Sequence, residues 1–384
     1  MNFLDESQIM WRDSVDRMMT DTITREYIRQ CDQGREYPYD GYAKLAAADY
    51  MRLLIPEENG GHGGTIFDYA LMCEGLGKYG FDFATCVLVP TFTAMNIVKF
   101  GSEDQQARYL EAFMSGRIRF SISISEPSAG SDAASTRTRA WRDGDHYVIK
   151  GQKLWCSGAA ARDVVIAMLV RTDPDAPKHK GLSVLLVPND TPGLEIRRLP
   201  TLSRRATGTT EIFIDEARVP VSQLLGREGQ GWEIITDHLE LERIAVAAAY
   251  VGNAQTAVSD ALVYAHERVQ FDRPIFDFQV IKHMLADMQT HVDAARLLVY
   301  RAAELASRHQ PCSGEVAMAK LFASETLQTV SRNGMQILGG HSMLPEADME
   351  RYFREGMQST IGGGTSQIQR SIIAKSMTAK VARS

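Results

Sequence analysis

Apolar residues recur at spacings of three and four from Phe3 to about Arg117, in stretches such as "DYALMCEGLGKYG" and "DQQARYLEAFMSG", which predicts a helical N-terminal segment. "LLIPEENGGHGG" interrupts that periodicity with Pro56 and paired glycines, a turn signal. At Arg119 the texture changes. "FSISIS" alternates, and "HYVIKGQKLWCSG", "DVVIAMLV", "GLSVLLVP" and "TEIFIDEARVP" are short β-rich runs separated by Gly, Pro, Asp or Asn at hairpin-like intervals. An antiparallel β unit is expected there. After "LLGREGQGW" long helical patterns return up to about Ala382, and the Ala-rich stripe of "EIITDHLELERIAVAAAYVGNAQTAVSDALVYAHERV" suits a helical bundle. The expected organisation is α+β in three segments: residues 1–118 helical, 119–230 β and 231–384 helical. Strands and helices do not alternate and no GxGxxG follows a strand, so a dinucleotide-binding α/β domain is not supported.

Composition narrows the function. At 384 residues and 44% hydrophobic, the chain has material for two or three packed units. A net charge of -6 argues against a nucleic-acid partner, which needs a basic surface. Cys31, Cys73, Cys86, Cys156 and Cys312 are scattered and odd in number, without metal-site or disulfide spacing, so reduced thiols and no metal are expected. The start "MNFLDESQIMWRDSV" lacks a positive residue followed by an apolar run, and no sequence window approaches the roughly 20 uncharged apolar residues of a membrane span. The expectation is a soluble cytoplasmic protein with no membrane partner.

The loop "SISEPSAGSD", Ser123 to Asp132, carries the first chemical signal. Its small residues and Gly130 let backbone amides approach a ligand, and Ser125 and Ser131 offer hydroxyls, which suits a polar heterocycle or a pyrophosphate. The alternative is a simple turn. "KLWCSG" then puts Trp155 and Ser157 two residues apart in a β run, on one face of a regular strand, with core packing as the alternative for the tryptophan.

Together with "ERVQF", "MQILGG" and "GGGTSQIQR", in that order, these segments resemble the acyl-CoA dehydrogenase family over essentially the whole chain. The resemblance implies a helical domain, a β-barrel domain and a helical domain, with non-covalent FAD. It also implies a homotetramer, or a homodimer, whose FAD sites are completed by a neighbouring subunit. By motif, Ile124, Ser125 and Ser131 would lie along the flavin and its phosphates, and Trp155, Cys156 and Ser157 against the ring. Arg268, Gln270, Phe271, Gln279, Gln336, Gly339 and Gly340 occupy positions that contact FAD across a subunit interface, and Thr365 and Gln367 supply the remaining contacts. A guanidinium at 268 suits pyrophosphate oxygens. The chain departs from the pattern at Asp272, usually glycine, at Gln270, usually threonine, and in "SEPSAGSD".

The implied reaction is FAD-dependent α,β-dehydrogenation of an acyl-CoA thioester, with electrons passed to an electron-transfer flavoprotein. It needs a carboxylate at the α-carbon and donors at the thioester oxygen. Many family members carry the base just before the "GT" of the C-terminal motif. Here that position is Gly363. Isovaleryl-CoA and long-chain enzymes place it instead on the helix after the β domain, before an arginine, and "LELERIAVAAAYVG" puts Glu242 there. Ile235, Leu239, Ala245, Val246 and Ala249 line its helical face, so a desolvated carboxylate is expected; the alternative is a structural partner of Arg243. Glu240, Arg243, Gly363, Gly364 and Ser131 are the candidate substrate contacts, with the Gly363 N–H as a donor to the thioester. Two other readings remain: an enoyl-CoA reductase, since "CDQGREYPYDGYAKLAAADYMRLLIPEENGG" and the Gly-Gly before the C-terminal motif look similar to crotonobetainyl-CoA reductase, or a flavin-binding homologue without catalysis.

Overall fold

In the protein's structure, a computed structural model, residues 4–237 and 239–381 are described. Helices α1 (Glu6–Arg17), α2 (Arg25–Gly34), α3 (Tyr39–Ala47), α4 (Ile66–Gly77), α5 (Phe81–Phe100) and α6 (Glu103–Met114) come first. Their starts are written in the sequence as capping boxes: Asp5 with Gln8, Thr65 with Asp68, and Ser102 with Gln105 each satisfy two end groups reciprocally. Helix α5 is long and apolar enough to cross a membrane, which the sequence windows did not suggest, yet 83% of that stretch is buried inside the protein. It is a core helix.

The strands follow: β1 (Arg119–Ser123), β2 (Arg139–Asp143), β3 (His146–Ser157), β4 (Val164–Arg171), β5 (Leu182–Pro188), β6 (Leu194–Arg198), β7 (Thr209–Pro220) and β8 (Leu224–Leu225). They form one sheet in the order β6-β7-β3-β2-β4-β5-β8, with β1 beside β4. The sheet is mixed, not purely antiparallel as expected, because β1 runs parallel to β4 and β2 touches β4 in parallel at Arg139 and Arg171. The 123–138 connection brings the chain back in the same direction, and a hairpin pattern in sequence does not register that. Strands β4 and β5 are buried along nearly their whole length, which accounts for their continuous apolar runs.

Helices α7 (Gly231–Asp237) and α8 (Leu239–Glu267), the short hairpin of β9 (Val269–Gln270) and β10 (Arg273–Pro274), and helices α9 (Gln279–Ser307), α10 (Ser313–Leu338), α11 (Met349–Ser359) and α12 (Ser366–Val381) complete the fold. The chain divides into two compact units. One holds the residues up to Gln30, Thr65–Thr85 and those from Glu240 onward; the other holds Cys31–Gly64 and Cys86–Leu239. The N-terminal helices are therefore shared between a helical unit and a sheet unit.

Within the helical unit the Ala-rich face of α8 is explained by how closely it approaches α4. A Cβ on Gly77 would meet the Ala249 carbonyl at 2.2 Å, and one on Gly252 would meet the Glu74 carbonyl at 1.9 Å. Glycine is the only residue that fits at these crossings, and the alanines from Ala245 to Ala254 are buried. These crossings hold α8 against α4 around Ala249 and Gly252. Helix α10 packs against α9, α11 and α12.

Candidate active site

In the sheet unit, the Ser123–Asp132 loop is tied to β3 by a buried ion pair. Lys153 Nζ donates to the Ile124 carbonyl at 3.1 Å and to Glu126 Oε1 at 2.9 Å, and both side chains are withdrawn from solvent. The Glu126 carboxylate also accepts from the Arg137 and Thr138 amides at 2.7 and 2.9 Å. Burial pushes its pKa up, but the Lys153 charge and these hydrogen bonds outweigh that, leaving it below the usual carboxylate value. The Leu154 amide donates to the Ser125 carbonyl at 2.9 Å, closing the loop onto the strand.

The regular-strand picture of Trp155 does not hold. The pairing of β3 with β7 slips between Leu154 and Cys156, and Trp155 takes a left-handed φ of 64° as the extra residue of a bulge. Alternation therefore fails at this point. The indole is 57% exposed, which rejects core packing, and Ser157 is half-buried. Cys156 is a correction: its side chain is buried against Ser123 Oγ at 3.1 Å and burial pushes the thiol up to about 11, so it is not a ligand contact through sulfur. Ile124 and Ser125 are half-buried and Ser131 is exposed. A separate cavity of about 310 Å³ in this unit, walled by Tyr37, Tyr39, Arg162 and Arg198, holds none of the predicted residues. The Arg198 donors there are engaged by the carbonyls of Arg35, Arg205 and Ala206.

In the helical unit, Arg268, Gln270, Phe271, Gln279, Gln336, Gly339 and Gly340 are all exposed. The residues Phe271 and Asp272 form the two-residue turn of the β9–β10 hairpin, with φ of 53° and 60°. Such a turn requires left-handed conformations, which supplies the physical reason for a glycine at position 272. The turn leaves the Phe271 ring 86% exposed. Nothing lies within 4 Å of where a Cβ would stand on Gly339 or Gly340, and Tyr264 stacks on His341 at 5.5 Å, bringing that bend beside the end of α8.

The second group in this unit joins α8 to the glycine-rich loop. On α8, Ala245, Val246 and Ala249 are buried at helical spacing from Glu242, while Ile235 lies on α7. Glu242 is half-buried, less desolvated than expected. Arg243 is held below its usual pKa by burial, opposed by the charges of Glu242 and Glu240. Its Nη2 lies 3.9 Å from where a Gly364 Cβ would stand. Glu240 accepts a hydrogen bond from the Ser313 hydroxyl. Gly363 and Gly364 both take left-handed φ, 66° and 89°.

Sequence reasoning overlooked two residues here. Lys320, wholly buried on α10, donates to the carbonyls of Ser359 and Gly364, each at 2.9 Å, and Gln369 Nε2 donates to those of Gly363 and Gly364, each at 3.2 Å. The signal was present: in "EVAMAKLFASE" Lys320 falls at helical spacing with Val316, Ala317 and Ala323, where a buried cation must be hydrogen-bonded. The Thr365 hydroxyl accepts from the Ile368 amide at 3.2 Å, capping α12, while Gln367 is exposed.

The models of the acyl-CoA dehydrogenase N-terminal, middle and C-terminal domains match residues 5–117, 121–217 and 229–378. The chain belongs to the acyl-CoA dehydrogenase family. A probable acyl-CoA dehydrogenase of Bacillus subtilis is 38% identical over 98% of this chain and 100% of its own length. The acryloyl-CoA reductase (NADH) of Anaerotignum propionicum is 33% identical over 90% of this chain and 88% of its own length. The butyryl-CoA dehydrogenase structure from Megasphaera elsdenii superposes with a TM-score of 0.92 at 27% identity, covering 98% of this chain and 100% of that one. Like its family, this acyl-CoA dehydrogenase homologue is an FAD-dependent oxidoreductase acting on a CH–CH bond. Each unit by itself offers chemistry that suits such a cofactor: the sheet unit an outward indole and hydroxyls, the helical unit an exposed guanidinium, an exposed aromatic ring and two open glycines.

Proposed function

We propose that Glu242 is the base that removes the α-proton of an acyl-CoA thioester, in a dehydrogenation whose electrons pass to an electron-transfer flavoprotein. The observation supporting this most directly is the meeting of α8 with the glycine-rich loop, where Arg243 reaches Gly364 and Glu242 is its neighbour. Arg243, whose charge interacts with that of Glu242, is the adjacent cation. Gly363 contributes space where a side chain would stand, and its N–H, with those of Gly364 and Thr365, forms the set of donors for the thioester oxygen. FAD, when bound, supplies the acceptor for the hydrogen that leaves the β-carbon.

For holding the cofactor, we assign Ile124, Ser125, Ser131, Trp155 and Ser157 in the sheet unit. The assignment in the helical unit is Arg268, Gln270, Phe271, Gln279, Gln336, Gly339 and Gly340, serving a second subunit of a homotetramer, with Thr365 and Gln367. The outward Phe271 and Arg268 support a shared site, because they offer an aromatic face and a cation with no covering from their own unit. Five buried free thiols support a reducing compartment, which we take to be the cytoplasm. Fatty-acid metabolism is the corresponding physiological setting.

The test is deuterium exchange at the α-carbon in D₂O with a straight-chain acyl-CoA panel. Wild type should catalyse it and Glu242→Gln should not. A second reading, enoyl-CoA reduction, is favoured by the likeness to the acryloyl-CoA reductase. Anaerobic turnover of an enoyl-CoA with a reduced donor, faster than the forward reaction with an oxidised one, would select it.

A further inference from the structure

We propose that Lys320 and Gln369 are positioning residues that turn the glycine-rich loop so that its amides, not its carbonyls, face the thioester. The inference rests on the acyl-CoA reading above and concerns how the loop acquires its polarity. A planar trans peptide points its C=O and its N–H in opposite directions. Gln369 draws the Gly363 carbonyl inward at 3.2 Å, so the Gly364 N–H points away from it. Lys320 and Gln369 draw the Gly364 carbonyl inward at 2.9 and 3.2 Å, so the Thr365 N–H points away as well. Lys320 also holds Ser359, the last residue of α11, which clamps both ends of the loop to one ammonium group.

The clamp has an electrostatic consequence. A cation hydrogen-bonded to a carbonyl polarises that peptide, and the effect strengthens the N–H on its other side in a site shielded from water. The positive charge also lies behind the place where thioester oxygen gains negative charge as the α-proton leaves. Burial, then the neighbouring Arg243 cation, push Lys320 down to about 8, with Glu325 opposing. That lowering is the expected mark of a cation held in place by geometry in spite of desolvation. The left-handed φ of Gly363 and Gly364 is what lets two successive carbonyls turn to the same side.

The FAD-loaded protein and its Lys320→Met variant, which keeps the stem and removes the ammonium, are titrated with two ligands of equal chain length: an acyl-CoA thioester and the S-alkyl-CoA thioether that lacks the carbonyl oxygen. The expected result is thioester binding weakened about tenfold, the value of one lost hydrogen bond, with thioether binding and FAD occupancy within about twofold of wild type. Equal weakening of both ligands, or of neither, overturns the proposal. If Lys320→Met fails to fold, hydrogen exchange in wild type decides. The peptide spanning Gly363 to Thr365 should be protected by the thioester and not by the thioether, and equal protection by both overturns the inference. Absence of acyl-CoA turnover in wild type would instead sink the underlying functional reading, so the two failures are distinguishable.

Discussion

Lys153 and Glu126 are joined at 2.9 Å with side chains 0% and 4% exposed, and through the Ile124 carbonyl the same lysine anchors the loop that begins "SEPSAGSD". Removing one member of a buried pair leaves the other charge unpaired, at a typical cost of about 3–5 kcal/mol. Lys153→Met should therefore release the loop and weaken FAD retention, read as cofactor absorbance after gel filtration. Full FAD occupancy with an unchanged melting temperature would contradict it.

A second buried charge centre gives a pH prediction. Asp348 is fully buried, accepts a two-pronged pair from Arg29, both contacts 2.9 Å, and forms an ion pair with Arg351 Nη2 at 2.9 Å. Burial raises its pKa, but Arg29 and Arg351 more than offset that, leaving it below the usual value. A carboxyl whose folded pKa is depressed adds stability that is present above its unfolded pKa near 3.9 and is lost as pH falls through the folded one. Asp348→Asn should lower stability at neutral pH by about 3–5 kcal/mol and flatten the acid limb of the melting curve, measured by calorimetry. An acid limb identical to wild type would reject the role.

Much of this was readable in the chain. The change of texture at Arg119 coincides with the first residue of β1, and the long Ala-rich pattern became α8. The capping residues mark helix starts because they act within four residues. What sequence could not show were long-range geometries. The parallel pairing of β1 with β4 joins segments some 45 residues apart, and no local period encodes it. The bulge at Trp155 breaks alternation at a single residue. Lys320 was passed over because a lysine is ordinarily read as surface, although its neighbours Val316, Ala317, Ala319 and Ala323 are all buried.

The hairpin turn at Phe271 and Asp272 offers a stability test. Asp272 holds a φ of 60°, which costs a non-glycine residue about 1 kcal/mol, so Asp272→Gly should raise the melting temperature slightly. The carboxylate also disappears from the turn that follows Arg268 in the chain, so FAD retention should rise with it. A destabilised variant would indicate that the Asp272 side chain makes a contact the turn depends on.

Glu242→Gln keeps the shape of the side chain and removes its basicity. The variant should bind acyl-CoA and FAD normally, while α-proton exchange and enoyl-CoA formation fall by about 10²–10⁴-fold. A carboxylate returned at the vacated position, Gly363→Glu in the Glu242→Gln background, tests whether the loop and the helix address one α-carbon. There is space for it: a Cβ at 363 would lie 3.7 Å from Lys320 Cε, ordinary contact. The obstacle is the backbone, since φ is 66° and a side chain there costs roughly 1–2 kcal/mol. Partial rescue with straight-chain substrates is expected, at some loss of melting temperature, and less with branched ones because the side chain fills the open space. Exchange at the wild-type rate in Glu242→Gln alone would show that the proton goes to another group.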